Sequence, residues 1–172
     1  MSNILIVAAM AVALSSTPIF AQDAGLELPR HKRAIGVVVG LTQFDLSGTG
    51  NTLLVGARAE TELQPWLIGE AALGVFRPEE QFLARATYFT PELQLQLQLP
   101  TFNVRPYIGV GLGYFLAASK RASQATASTA GGLRITVPGA PMDLRAELRV
   151  RGIGRNFSGS TAEWTAGASY RF

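Results

Sequence analysis

The sequence predicts an all-β fold, an eight-stranded antiparallel up-and-down transmembrane β-barrel, and three observations carry that expectation. Apolar and polar residues alternate with period two along most of the 172 residues, the spacing of a strand whose side chains point to opposite faces. The alternation falls into eight stretches, each near the ~9–11 residues that a tilted strand needs to cross a bilayer. Clusters of Gly, Pro, Ser and Asn separate the stretches and turn the chain between them.

The chain opens with an apolar run, Ile4 to Leu14, followed by small residues up to Ala21. The run is too short to span a bilayer, so residues 1–21 read as a signal peptide cut after Ala21, although Met1-Ser2-Asn3 lacks the usual Lys or Arg and Ile19 is bulky for its place near the cut. Residues 22–33 are then expected to form a periplasmic N-terminal segment ahead of a barrel over 34–172. The first strand is expected around Ala34 to Phe44. In the second, Leu53, Val55, Ala57 and Ala59 oppose Gly56, Arg58, Glu60 and Glu62; in the third, Leu67, Gly69, Ala71, Leu73 and Val75 oppose Glu70 and Gly74. The fourth sets Leu93, Leu95, Leu97 and Leu99 against Glu92, Gln94, Gln96 and Gln98. The fifth sets Val104, Ile108, Val110, Leu112 and Tyr114 against Arg105, Tyr107, Gly109, Gly111 and Gly113. Leu133, Ile135 and Val137 oppose Gly132, Arg134 and Thr136 in the sixth. The seventh is the cleanest, with Leu144, Ala146, Leu148 and Val150 against Arg145, Glu147, Arg149 and Arg151. The last opposes Trp164, Ala166, Ala168, Tyr170 and Phe172 to Glu163, Thr165, Gly167, Ser169 and Arg171.

One stretch breaks the rule. Phe82, Ala84, Ala86 and Tyr88 share the parity that Glu92 and Gln94 occupy later, so a bulge near Phe89 to Pro91 is expected to restore the apolar side. Short links elsewhere put sequence neighbours side by side.

Composition narrows the function. With no cysteine there is no lipid-anchored lipoprotein, disulfide framework or thiolate metal site. Beyond the leader no apolar stretch approaches the ~18 residues of a helical span. The net charge of +3 could suggest nucleic acid, but the basic residues alternate with apolar ones and form no patch, so no nucleic-acid partner is expected. Metal ligation has no support from residue type or spacing.

Alternation by itself does not say which face is wet. A membrane barrel has its apolar side outward, and a soluble lipocalin-like barrel has it inward. Gly109, Gly111 and Gly113 share a face with Arg105 and Tyr107, and glycines beside long charged groups suit the crowded interior of an eight-stranded barrel. Gly-Val-Gly-Leu-Gly-Tyr lacks the spacing of a phosphate-cradling loop and sits within a strand. Aromatics gather at expected strand ends, Trp66, Phe102, Tyr170 and Phe172 at one rim and Phe44, Phe76, Phe82 and Tyr114 at the other, as in interfacial girdles. With the apolar face in lipid, Arg58, Glu60, Glu62, Glu70, Glu92, Arg105, Arg134, Arg145, Glu147, Arg149 and Arg171 turn inward. Buried charge is costly unless paired, so an Arg and Glu lattice is expected to plug the lumen.

The terminal Tyr170-Arg171-Phe172, on the face of Trp164, Ala166 and Ala168, resembles the last strand of bacterial outer-membrane barrels. The segment from Arg105 to Tyr114 resembles a strand common in small barrels of the OmpA and OmpX type, and the resemblance extends over the whole mature chain. It implies an outer-membrane location in a Gram-negative envelope with both termini periplasmic, and Trp164, Tyr170 and Phe172 as the signal read by the barrel-assembly machinery. It also implies a monomer surrounded by outer-membrane lipid and lipopolysaccharide, with no cofactor. In that orientation Arg77, Lys120, Arg121 and Arg155 gather at the outer rim, where they could hold lipopolysaccharide phosphates.

Such barrels serve as anchors, adhesins, small channels and enzymes, so the resemblance is poor for function. Lipid A-modifying acyl enzymes need a His working with Ser and an acid, and the one histidine, His31, lies in Arg30-His31-Lys32-Arg33 ahead of the first strand. The acid pairs Glu60 with Glu62 and Glu79 with Glu80 are remote candidates for acid and base. The expectation is a non-enzymatic integral barrel with a structural or interaction role. The alternatives are a narrow porin-like channel, a soluble periplasmic lipocalin-like ligand binder, and, last, a lipid A-modifying acyl enzyme.

Overall fold

The computed structural model describes residues 33–44, 51–78, 86–99, 103–118, 123–154 and 159–172. The expected signal peptide and all of the segment 22–33 except Arg33 lie outside them.

Eight strands follow one another: β1 (Arg33–Phe44), β2 (Asn51–Gln64), β3 (Leu67–Phe76), β4 (Tyr88–Gln98), β5 (Val104–Ala117), β6 (Gln124–Thr136), β7 (Met142–Ile153) and β8 (Gly159–Arg171). Each pairs antiparallel with its sequence neighbours, and β1 pairs with β8 to close the barrel. Closure leaves no sheet edge to satisfy. A row of hydrogen-bonded partners runs from Ala34 through Glu60, Glu70, Gln94, Gly111, Ser128, Arg151 and Thr161 and returns to β1 at Phe44. The return lands farther along β1 than the start, so the strands are strongly staggered and tilt by roughly 35–45° to the axis.

Period-two alternation translates directly into two faces. Along Met142–Arg151 every second residue is buried and its neighbours are exposed. The exposed set is aliphatic: Val37, Leu93 and Leu112 are 67%, 70% and 71% exposed, while Arg149 and Arg151 are 3% and 2%. The aliphatics coat the exterior and the charges line the axis, which rules out the lipocalin-like arrangement with its apolar pocket inside.

Two local expectations need correction. No bulge interrupts β4: its register against β3 is continuous from Tyr88 to Leu97, and Tyr88, Thr90 and Glu92 all point inward. The phase conflict disappears because the interior is apolar at that end, so Tyr88 belongs inside. The register shift lies instead in β2, between Glu62 and Gln64, just before the turn at Pro65-Trp66. Phe44 and Phe76 are not girdle residues either; both are buried in the lumen, at 8% and 2% exposure. Trp66, Tyr170 and Phe172 are exposed at one end and Tyr114 near the other, whereas Phe82 and Phe102 lie outside the described residues. At the end that carries the termini, Gly139 takes φ 76° in the turn between β6 and β7, a conformation that favours glycine.

Candidate functional site

The interior holds the chemistry, and the strands divide the labour. The β5 wall is lined by Gly109, Gly111 and Gly113, which leave room for long side chains from the facing strands. A Cβ on Gly111 would sit 2.7 Å from both Glu92 Oε1 and Ser128 Oγ, and one on Gly109 would sit 2.7 Å from Gln94 Nε2. Those separations are too short for any Cβ, so bulk here would evict the polar groups that fill the lumen.

Into that space β7 sends Arg145, Glu147, Arg149 and Arg151, all buried. Arg145 binds three acids, Glu60 at 3.1 Å together with Glu70 and Glu147. Arg149 reaches Glu92 at 2.7 Å, Glu147 at 2.9 Å and Glu70 at 3.3 Å. From β2, Arg58 meets Glu147 at 2.9 Å and Glu70 at 3.4 Å, and from β6 Arg134 meets Glu60 at 2.7 Å. Tyr107 Oη accepts from Arg145 Nε at 2.5 Å and donates to Glu147 Oε2 at 2.7 Å, while the Arg145 guanidinium sits 4.6 Å from its ring centroid. Gln96 Nε2 donates to Glu70 Oε2 and to Gln94 Oε1, both at 2.8 Å. Each of these buried charges therefore has at least one opposite charge in contact, the condition for tolerating it away from water.

The lattice is bounded by two different ends. Toward the termini, Asp143 is shared by Arg105 at 3.7 Å and Arg171 at 3.5 Å, and both arginine side chains keep part of their surface, 19% and 23%. Glu62 is half-buried and shares this mouth with Arg33, Glu60 and Arg134. Toward the opposite end, Phe44, Leu54, Phe76, Tyr88 and Phe115 are buried together. The Phe76 ring lies 5.4 Å from Phe44, 5.6 Å from Tyr88 and 5.6 Å from Phe115, within the range of favourable aromatic packing.

Arg58, Glu60, Glu70, Glu92, Arg134, Arg145, Glu147 and Arg149 thus meet in one lattice, with Arg105 and Arg171 joined only at the mouth. Sequence reasoning left out Asp143, Arg151, Glu163 and Tyr107. Arg151 bridges Glu92, at 3.0 Å, and Glu163, and all four omitted residues share the parity of the charges named. The aromatic cluster was missed entirely, although Phe44, Phe76, Tyr88 and Phe115 also fall on inward positions. Trp164 is exposed on the outer face. Arg77 is exposed just beyond β3, and Lys120, Arg121 and Arg155 lie outside the described residues, as do His31, Glu79 and Glu80. Glu60 is held by two arginines and is no free base. Among the described residues no group of side chains could hold a metal ion.

Aliphatics outside and paired charges inside, in a closed eight-stranded antiparallel meander, define a transmembrane β-barrel. Solved structures place it more closely. Neisserial surface protein A matches with a TM-score of 0.68 at 14% identity, covering 81% of this chain and 97% of that one. The N-terminal β-barrel domain of Pseudomonas aeruginosa OprF matches at 0.56 and 14% identity, covering 81% and 97%, and the outer membrane enzyme PagL at 0.50 and 10%, covering 81% and 99%. The fold is that of the small eight-stranded outer-membrane barrels. No family model and no curated protein matches the sequence.

Proposed function

We propose that the chain is a non-enzymatic integral protein of the bacterial outer membrane, with a structural or interaction role and a lumen plugged by ion pairs. The observation that carries this reading is the interior itself: Arg58, Arg145 and Arg149 are each locked to two or more acids at the barrel axis. Among the described residues, Glu60, Glu70, Glu92 and Glu147 are all held by arginines and none stands free as a base. Because PagL shares the fold, the fold alone does not decide against catalysis. The residues weigh against it, since acyl transfer of the Ser and His type needs a base beside the hydroxyl and the single histidine, His31, precedes β1.

In this reading both termini face the periplasm, and the connections after β3, β5 and β7 face outward. Arg77, with Lys120, Arg121 and Arg155 in the neighbouring connections, then meets lipopolysaccharide phosphates. Trp164, Tyr170 and Phe172 present the outward aromatic pattern that assembly machinery reads. The decisive experiment is fractionation of the envelope followed by gel electrophoresis with and without boiling. The protein should require detergent, follow outer-membrane markers and migrate differently when boiled; recovery in the aqueous fraction would overturn the assignment. A lipid A acyl-transfer or deacylation activity in the purified barrel would overturn its non-enzymatic part. Replacing Arg77, Lys120, Arg121 and Arg155 with Gln should lower lipopolysaccharide co-purification, and an unchanged yield removes the rim contact.

A further inference from the structure

The two chemistries inside the barrel are stacked along the axis, and only one of them repels ions. We propose that the permeability barrier is the aromatic cluster at the loop end, and that the ionic lattice beneath it is a hydrated chamber open to ions from the mouth beside the termini. The proposal rests on the membrane reading above and moves the seal within that lumen from the ion pairs to the rings.

The cluster closes the bore from several sides at once. Phe44, Leu54, Phe76, Tyr88 and Phe115 come from five successive strands and none is more than 8% exposed. Ile153 packs against them from β7, on the far side of the barrel. Tyr88 and Phe115 lie 4.8 Å apart, so the rings touch. A constriction lined by apolar groups sheds water, and an ion cannot cross without its hydration shell.

The lattice has the opposite character. The Nε donors of Arg58 and Arg149 and the hydroxyl of Thr161 are buried without a protein hydrogen-bond partner. Leaving such groups unmet costs more than lodging water beside them. At the lower end Arg105 and Arg171 remain partly exposed, so water has a polar way in. Charged side chains lining a water-filled path can coordinate small ions that enter it.

The test uses the full-length protein in planar bilayers and in proteoliposomes. The unaltered barrel should not conduct, whereas the Phe76→Ala/Phe115→Ala variant should show discrete conductance steps. An Arg145→Gln/Glu147→Gln variant with the cluster intact should stay silent. Conductance of the unaltered barrel equal to that of the aromatic variant, conductance of the lattice variant, or a silent aromatic variant that still shows the folded gel band would each overturn the proposal. A second measurement needs no truncated ring. Because the chain has no cysteine, Thr165→Cys places a single thiol where Thr165 accepts from Arg58 at 3.4 Å. Silver ion added on the terminal side should consume that thiol, and silver added on the loop side should leave it free. Reaction from the loop side, or from neither, would overturn the proposal. Failure of the membrane reading looks different: the protein would not float with the vesicles at all.

Discussion

The lattice around Arg145 and the ring cluster around Phe76 fill the same tube to similar burial, yet they respond to damage in different ways. Packing among Phe44, Phe76, Tyr88 and Phe115 is non-directional, so neighbours can lean into a gap. The guanidinium of Arg145 serves Glu60, Glu70 and Glu147 at once, and nothing else can take its place without a charge of the right sign at the right point. The ionic half is therefore the more brittle, although a buried ion pair adds little net stability over an apolar filling.

Arg145→Leu is expected to give the largest loss, about 3–5 kcal/mol, because three buried carboxylates lose a shared partner. Urea unfolding of the protein in lipid vesicles measures it, and Trp66 and Trp164, both exposed, supply the fluorescence signal. Phe76→Ala should cost about 3 kcal/mol, at the low end for a buried aromatic because Leu54 and the remaining rings can close part of the cavity. A larger loss for Phe76→Ala than for Arg145→Leu would reverse the ranking of the two halves. Tyr107→Phe sharpens the comparison inside the lattice. It keeps the ring beneath Arg145 and deletes the hydroxyl that joins Arg145 to Glu147, for an expected loss of about 1–3 kcal/mol.

How much of this was legible beforehand follows the same division. Parity alone put the β7 arginines and glutamate on one face, and strand count with turn residues produced the closed meander, because both depend on local period and spacing. Parity also held the information on the rings. A place near the strand ends suggests an outer girdle for Phe44 and Phe76, but the inward parity of both positions puts them in the lumen. Tyr88 exposed the conflict, since only an apolar stretch of lumen lets it share a face with Glu92. Which acid each arginine would choose was not readable: the pairs Arg58 with Glu147 and Arg149 with Glu92 join strands that are not neighbours, so they depend on the stagger and width of the closed barrel.

The smallest effect is expected where the lattice meets water. Arg171 lies 3.5 Å from Asp143 and keeps 23% of its side chain exposed, so solvent screens the pair. Arg171→Gln should lower stability by only about 0.5 kcal/mol, and the difference should shrink further in high salt, because partly exposed pairs are screened over a Debye length of about 10 Å at 0.1 M. The loss from Arg145→Leu should change less over the same salt range, because its three partners are buried at contact distance. Equal salt sensitivity at the two positions would mean that bulk electrolyte, and not only single ions entering from the mouth, fills the middle of the lattice.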